Sequence, residues 1–145
     1  MKKKLKVIIF YGGFKFVVGG VNSHANSLKS GMQLIGHEVT LITLDDLPGL
    51  LKYLPHVIEK FTNLIFFPLG YIYKGIATKF LFKLIFRNRD SDYIIFEDVY
   101  LSWNSSTPSI SIMHAVWSDN LQAFQATSKQ ISKLKEKEID MIHNI

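Results

Sequence analysis

The sequence contains no cysteine, which excludes a disulfide framework, thiolate metal ligands and a cysteine nucleophile, and suits a reducing compartment. It also lacks both common phosphate signatures: no Gly-x-Gly-x-x-Gly follows the first apolar run, and no Gly-Lys-Ser/Thr ends a glycine loop. Nicotinamide-dinucleotide binding and P-loop hydrolysis therefore lose ground. Acid is missing from Lys60 to Arg89, where Lys60, Lys74, Lys79, Lys83, Arg87 and Arg89 stand without a single Asp or Glu. That segment carries +6 against +5 for the whole chain, so the remainder sums to −1. A uniformly basic chain would point to nucleic acid; a basic strip rich in phenylalanine and tyrosine points to an anionic membrane surface instead. There is no repeat and no low-complexity linker.

What is present fits one globular domain. The 145 residues are 48% hydrophobic and 20% charged, enough to bury a core. Met1-Lys2-Lys3-Lys4 has the charge of an export signal's start, but the apolar run from Val7 to Tyr11 is short and breaks at Gly12-Gly13 with no small-residue cleavage site. It reads as a first strand, Lys6 to Tyr11. A glycine-bounded loop follows, then a helix from Val21 to Ile35 with Leu28, Met32 and Ile35 as its apolar stripe and Gly36 as its stop. Glu38 to Leu44 predicts a second buried strand, closed by Asp45-Asp46 and Pro48-Gly49. Strand, helix and strand in about forty residues make a right-handed βαβ unit.

Further on, Leu50 to Lys60 and Phe66 to Arg87 predict helices, the latter interrupted near Pro68-Leu69-Gly70. Asp92 to Phe96 and Ile110 to His114 predict the third and fourth strands. Ser118 to Met141 predicts a long helix with Leu121, Phe124, Ile131 and Leu134 inside. The expected fold is α/β, a Rossmann-like doubly wound parallel sheet in a single domain. Ligands of such sheets sit at the carboxyl ends of the strands, so Gly12–Gly20, Asp45-Asp46, Glu97–Trp103 and His114–Asp119 are the loops expected to face a site.

Leu64 to Phe86 is long enough to span a bilayer, but Lys74, Lys79 and Lys83 lie inside it, each costing roughly 2.5–3.5 kcal/mol near the centre. Lys79, Lys83 and Arg87 recur every fourth residue with Phe82 and Phe86 beside them, the layout of a helix lying in a membrane interface. A core helix with a solvated lysine stripe gives the same pattern, and both readings stay open.

Among chemistry-bearing motifs, Gly19-Gly20-Val21 opens the first helix, where backbone amides attract anions such as a diphosphate; a plain connecting turn would look the same. Asp45-Asp46 reads as a helix-capping turn, since it lies too far from Gly12 for a ribose-reading acid. His24 and His37 read as structural. No His/Asp/Glu cluster shows metal-ligand spacing and no nucleophile–base pair is visible, so neither a metal nor a bound cofactor is expected.

Three stretches carry a resemblance. Val7-Ile8-Ile9-Phe10-Tyr11 followed by Gly19-Gly20-Val21-Asn22, then Gly36-His37-Glu38-Val39-Thr40, then Ile110-Ser111-Ile112-Met113-His114, together resemble the opening domain of family four glycosyltransferases of the GT-B fold. The resemblance implies the amino-terminal, acceptor-side half of a two-domain enzyme that uses a nucleotide-sugar as co-substrate and no metal. On it, Gly19 and Gly20 match glycines near the donor diphosphate, and His114 matches the histidine bordering the reacting sugar. Asn22 stands where that family often carries glutamate; it, Asp98 and Asp119 are the candidate acceptor contacts, although Asp98 and Asp119 also suit helix caps. Lys79, Phe82, Lys83, Phe86 and Arg87 are the candidate membrane-interface residues.

The paired-glutamate motif of the donor domain has no counterpart, and His143-Asn144-Ile145 falls where a further strand would begin. Residues 1–145 therefore read as an acceptor domain truncated before its last strand, inactive without a donor-binding domain. The expected setting is cytoplasmic, peripheral on the inner face of the plasma membrane, with a sugar or lipid-linked acceptor in cell-envelope polysaccharide or glycolipid synthesis. The rival expectation is a non-catalytic membrane-docking or partner-binding module. A response-regulator-like domain is disfavoured by the missing acidic cluster after the first strand.

Overall fold

Consecutive residues of a strand point to opposite faces, and the first strand here is apolar on both. In the computed structural model, which describes residues 3–114 and 128–143 (side chains within the last segment only at 132, 133 and 135–140), β1 spans Lys6–Phe10 and is buried from Val7 to Phe10. It is one of the two inner strands of a sheet that has four strands among the described residues. β2 (Glu38–Ile42) lies on one side of it; β3 (Tyr93–Phe96) lies on the other, followed by β4 (Ser109–Ser111). Every pairing is parallel, with Val7 opposite both Val39 and Tyr93, and Ile94 opposite Ser109. The fold is α/β, a Rossmann-like single domain, as the sequence predicts.

The two faces carry different cores. Val7, Ile9, Val39 and Ile95 point to the face covered by α1 (Gly20–Leu34), against Leu28 and Met32. Ile8, Phe10, Ile94 and Phe96 point to the other face, where Leu81, Phe82 and Phe86 of α3 (Gly70–Phe86) meet them. Phe10 is the hub of this second core. Its ring centroid lies 5.3 Å from that of Phe82, 5.6 Å from Phe96 and 4.9 Å from Trp103. Aromatic pairs at such spacings each contribute about 0.5–1.5 kcal/mol beyond the area they bury.

Between β2 and α3 the chain makes two short 3-10 turns, Leu44–Asp46 and Gly49–Tyr53, and then α2 (Leu54–Phe66). α2 and α3 form a hairpin whose turn contains a cis Phe67–Pro68 peptide. The hairpin closes tightly at Gly70, where a Cβ would stand 2.4 Å from the Glu59 carbonyl oxygen. A last helix, α4 (Ser128–His143), is tied to the body where the Tyr100 hydroxyl donates to the buried Glu138 carboxylate. The expected inner-face residues Leu121 and Phe124, and the side chains of Ile131 and Leu134, lie outside what is described.

One expectation about α3 is overturned. Phe82 is 0% exposed and Phe86 is buried too, so neither is a membrane-interface residue. The two phenylalanines belong to the sheet-facing stripe with Thr78 and Leu81, while the Lys79, Lys83 and Arg87 row lies to the side of it. Lys83 and Arg87 stay exposed, and burial together with neighbouring Lys83 holds the half-buried Lys79 ammonium below the usual lysine range. The residues that α3 turns outward are Tyr73, Ile76, Phe80 and Leu84, with Phe80 65% exposed. α2 turns out Leu54, Val57, Phe61 and Leu64, the last 83% exposed. Among the described residues no helix is long and apolar enough to cross a membrane.

Candidate functional site

Parallel strands deliver their carboxyl ends to one rim, and the residues just past them converge there. Glu97 directly follows β3. Its amide donates to the Phe10 carbonyl (2.9 Å), extending the ladder by one residue, and alternation turns its side chain to the α1 face. That side chain is wholly buried. His114 follows β4 by three residues, and its Nε2 lies 2.7 Å from Glu97 Oε2. His24 lies on α1 one turn before Leu28, on the row that continues to Met32; the row that covers the sheet thus carries its first member out over the rim. His24 Nδ1 lies 2.9 Å from the same Glu97 oxygen. The two imidazoles meet edge to face, centroids 4.9 Å apart. The other Glu97 oxygen, Oε1, is buried with no hydrogen-bond partner among the described residues.

Beside this array lies a cavity of about 240 Å³. Its walls come from the Tyr11–Phe14 loop, from His56 of α2, from Tyr71, Lys74 and Thr78 of α3, and from Glu97, Asp98, Tyr100 and Leu101. Asp98 lines it and also accepts from the Tyr100 amide (3.3 Å), so the expected turn cap is made by a carboxylate that faces the cavity. Burial pushes the Asp98 carboxyl up to about 6, against the opposing pull of that amide and of His114. A carboxyl titrating there exchanges a proton readily near neutrality. His56 stacks on Phe14 (5.2 Å), and burial, helped by Lys74, lowers its imidazole below the usual range. Lys74 is itself paired with Glu59 at 3.0 Å.

The other expected site residues divide. Gly19 and Gly20 begin α1 at the same rim; both are exposed, and a Cβ on either would meet nothing within 4 Å. The earlier glycines sit closer to neighbours: a Cβ on Gly13 would meet the outer end of the Tyr11 ring and one on Gly12 would sit 3.1 Å from a Leu101 methyl, so either side chain would have to shift. Asn22 is not an acceptor contact. It is buried, its amide donates to the carbonyls of Lys15 (3.1 Å) and Val17 (2.6 Å), and its oxygen accepts from Asn26 (2.8 Å). With its hydrogen bonds committed, Asn22 holds the glycine loop. Asp45 and Asp46 pin that loop from below, through the Lys15 amide (2.7 Å) and the Lys15 ammonium (2.9 Å), and Asp46 also caps the Thr43 turn as expected. Asp119 lies outside the described residues.

The sequence put Glu97 at the start of a rim loop without giving it a role, and His24 read as structural. They are separated by 73 positions, so no local spacing joins them. The available signal was His24 on the Leu28–Met32 row, together with a charged residue directly after a buried strand. Comparison with known protein families, with curated proteins and with solved structures returns no match.

Proposed function

We propose that this chain is the acceptor-binding half of a nucleotide-sugar-dependent glycosyltransferase, working on a sugar or lipid-linked acceptor of the cell envelope. The observation that carries the reading is that His114, the Gly19-Gly20 helix start and Asp98 share one rim of a parallel sheet, where Asp98, with Glu97 and Val21, lines a cavity. The resemblance to family four glycosyltransferases in the three stretches named above supports it further. The cavity lies below the roughly 300–1,000 Å³ of drug-sized sites, which suits one small polar ring rather than a whole nucleotide. Tyr11, Tyr71 and His56 offer ring faces, and Thr78 and Asp98 offer partners for hydroxyl groups.

In this reading the acceptor hydroxyl oxygen bonds to the donor's anomeric carbon while the bond to the diphosphate oxygen breaks. Asp98 takes the hydroxyl proton, the first amides of α1 face the departing diphosphate, and Glu97 fixes the orientation of His114. The donor's remaining contacts belong to a second domain. The test is a titration of the 15N-labelled chain with hexoses and with nucleotide-sugars, followed by amide shifts. Shifts gathered at Gly12–Gly20, Glu97–Leu101 and His114, and weakened by His114→Ala, are expected, with no sugar turnover by the chain alone. Turnover by this chain, or shifts confined to another surface, would refute the reading.

A second reading has its own observation. α2 and α3 each expose an apolar stripe flanked by the exposed Lys60, Lys83 and Arg87, and apolar surface rimmed by charge marks contact sites. The chain docks through this hairpin onto an anionic membrane, either to bring the transferase to its acceptor or as a module without chemistry. Flotation with anionic vesicles addresses it; lack of binding removes this reading and leaves the first standing.

A further inference from the structure

We propose that His24, Glu97 and His114 form a binding site for a divalent transition-metal ion of the zinc class. The inference does not rest on the transferase reading. The three ligand atoms, His24 Nδ1, Glu97 Oε2 and His114 Nε2, all lie within 4.8 Å of one another. Both ring nitrogens stand 2.9 Å or less from the carboxylate oxygen. Bond lengths of roughly 2.0–2.2 Å to zinc place tetrahedral ligands of one ion about 3.3–3.6 Å apart, so an ion would open the two nitrogen–oxygen contacts slightly and draw the two ring nitrogens together. The donors come from three elements, α1 and the ends of β3 and β4, and the sheet and helix hold them in place before any ion arrives.

A second observation points the same way. Among the described residues Glu97 Oε1 is buried without a partner, and an unsatisfied buried oxygen of this kind costs about 1–3 kcal/mol, more when charged. Two histidines hydrogen-bonded to Oε2 leave that cost in place. A cation taken in a bidentate mode removes it and neutralises a carboxylate that is 0% exposed. The two-imidazole, one-carboxylate donor set favours zinc, manganese, iron(II) or nickel over calcium and magnesium, which prefer oxygen alone. His24 is 44% exposed and His114 24% exposed at their side chains, so one side of the ion stays open. An oxygen ligand fills it: water, a sugar hydroxyl or a phosphate oxygen.

The experiment uses the tag-free chain stripped with chelator, titrated with Co2+ as a visible-absorbing stand-in and with Zn2+ by calorimetry. About one equivalent per chain is expected, with intense cobalt bands that Zn2+ abolishes, and with Zn2+ shifting the ring signals of His24 and His114. His24→Ala and Glu97→Gln should weaken binding at least roughly 10–100-fold, with helix content by circular dichroism as the folding control. Wild-type binding no tighter than that of His24→Ala would overturn the site, as would ring shifts at His37, His56 or His143 instead. If a variant does not fold, the wild-type ring shifts decide alone, and their absence shows the three residues to be only hydrogen-bonded.

Discussion

Tyr100 lies directly over Gly75, so that a Cβ on residue 75 would stand 2.6 Å from the Tyr100 Cβ. The contact joins the middle of α3 to the turn after β3. Because the near atom is the root of the tyrosine and its hydroxyl is tied to Glu138, the ring cannot swing aside. Alanine in a helix interior ordinarily gains about 0.5–1 kcal/mol over glycine. Here the sign should reverse: Gly75→Ala is expected to cost about 1–3 kcal/mol by urea denaturation, as overpacking does. A gain in stability would mean that α3 can lift from the turn.

Asn22→Ala should loosen the glycine loop. It removes the donor shared by the Lys15 and Val17 carbonyls, and a loss of about 1–3 kcal/mol is expected, with faster amide exchange from Lys15 to Gly20. Sugar contacts at the cavity should survive, since the side chain does not line it. An acceptor-contact role would instead weaken sugar binding with stability unchanged.

The raised Asp98 carboxyl predicts a pH dependence. Folded, it titrates at about 6; its ordinary value is 3.8. Between these the folded chain keeps a proton that the unfolded chain has lost, so this group's contribution falls as pH rises through that window and stays unfavourable above it. Asp98→Asn keeps a turn acceptor without the charge. It should flatten the slope between about pH 4 and 6 and add about 1–2 kcal/mol at neutral pH, read from melts across pH.

The two sides of α3 predict opposite outcomes. Phe82→Ala empties the centre of the Phe10 cluster and should cost about 3–5 kcal/mol. Phe80→Ser combined with Leu84→Ser should leave stability within about 0.5 kcal/mol, because both residues face outward. If the hairpin docks on membranes, the outward pair should lower vesicle flotation while leaving the melt unchanged.

Much of the fold was legible because its signals are local. Val7 to Phe10 and Val39 to Ile42 are apolar runs too short for helices, and Gly36 stops α1 with a positive φ of 96°, where a turn demands it. The faces of α3 were not legible, since a helix with apolar residues on every side carries no stripe to orient it. Only the sheet decided that Phe82 goes in and Phe80 out. The rim was legible in part: chain order and resemblance put His114 and the helix start there, where the sheet carries them. Glu97 and His24 became visible only once β3 and α1 were seen to share a rim. Asn22 misled because a polar residue beside a glycine turn can serve the turn or a ligand with the same composition.

The strand order 2-1-3-4 also fixes when the molecule can assemble. β1 pairs with strands that follow it by 32 and 86 positions, Lys6 with Glu38 and Val7 with Tyr93. Closing the longer loop loses chain entropy before any ladder bond repays it. The α2–α3 hairpin, by contrast, is built from neighbours. Refolding should therefore show helix signal rising ahead of the slow, fluorescence-detected burial of Trp103, with β1 waiting for β3 to arrive.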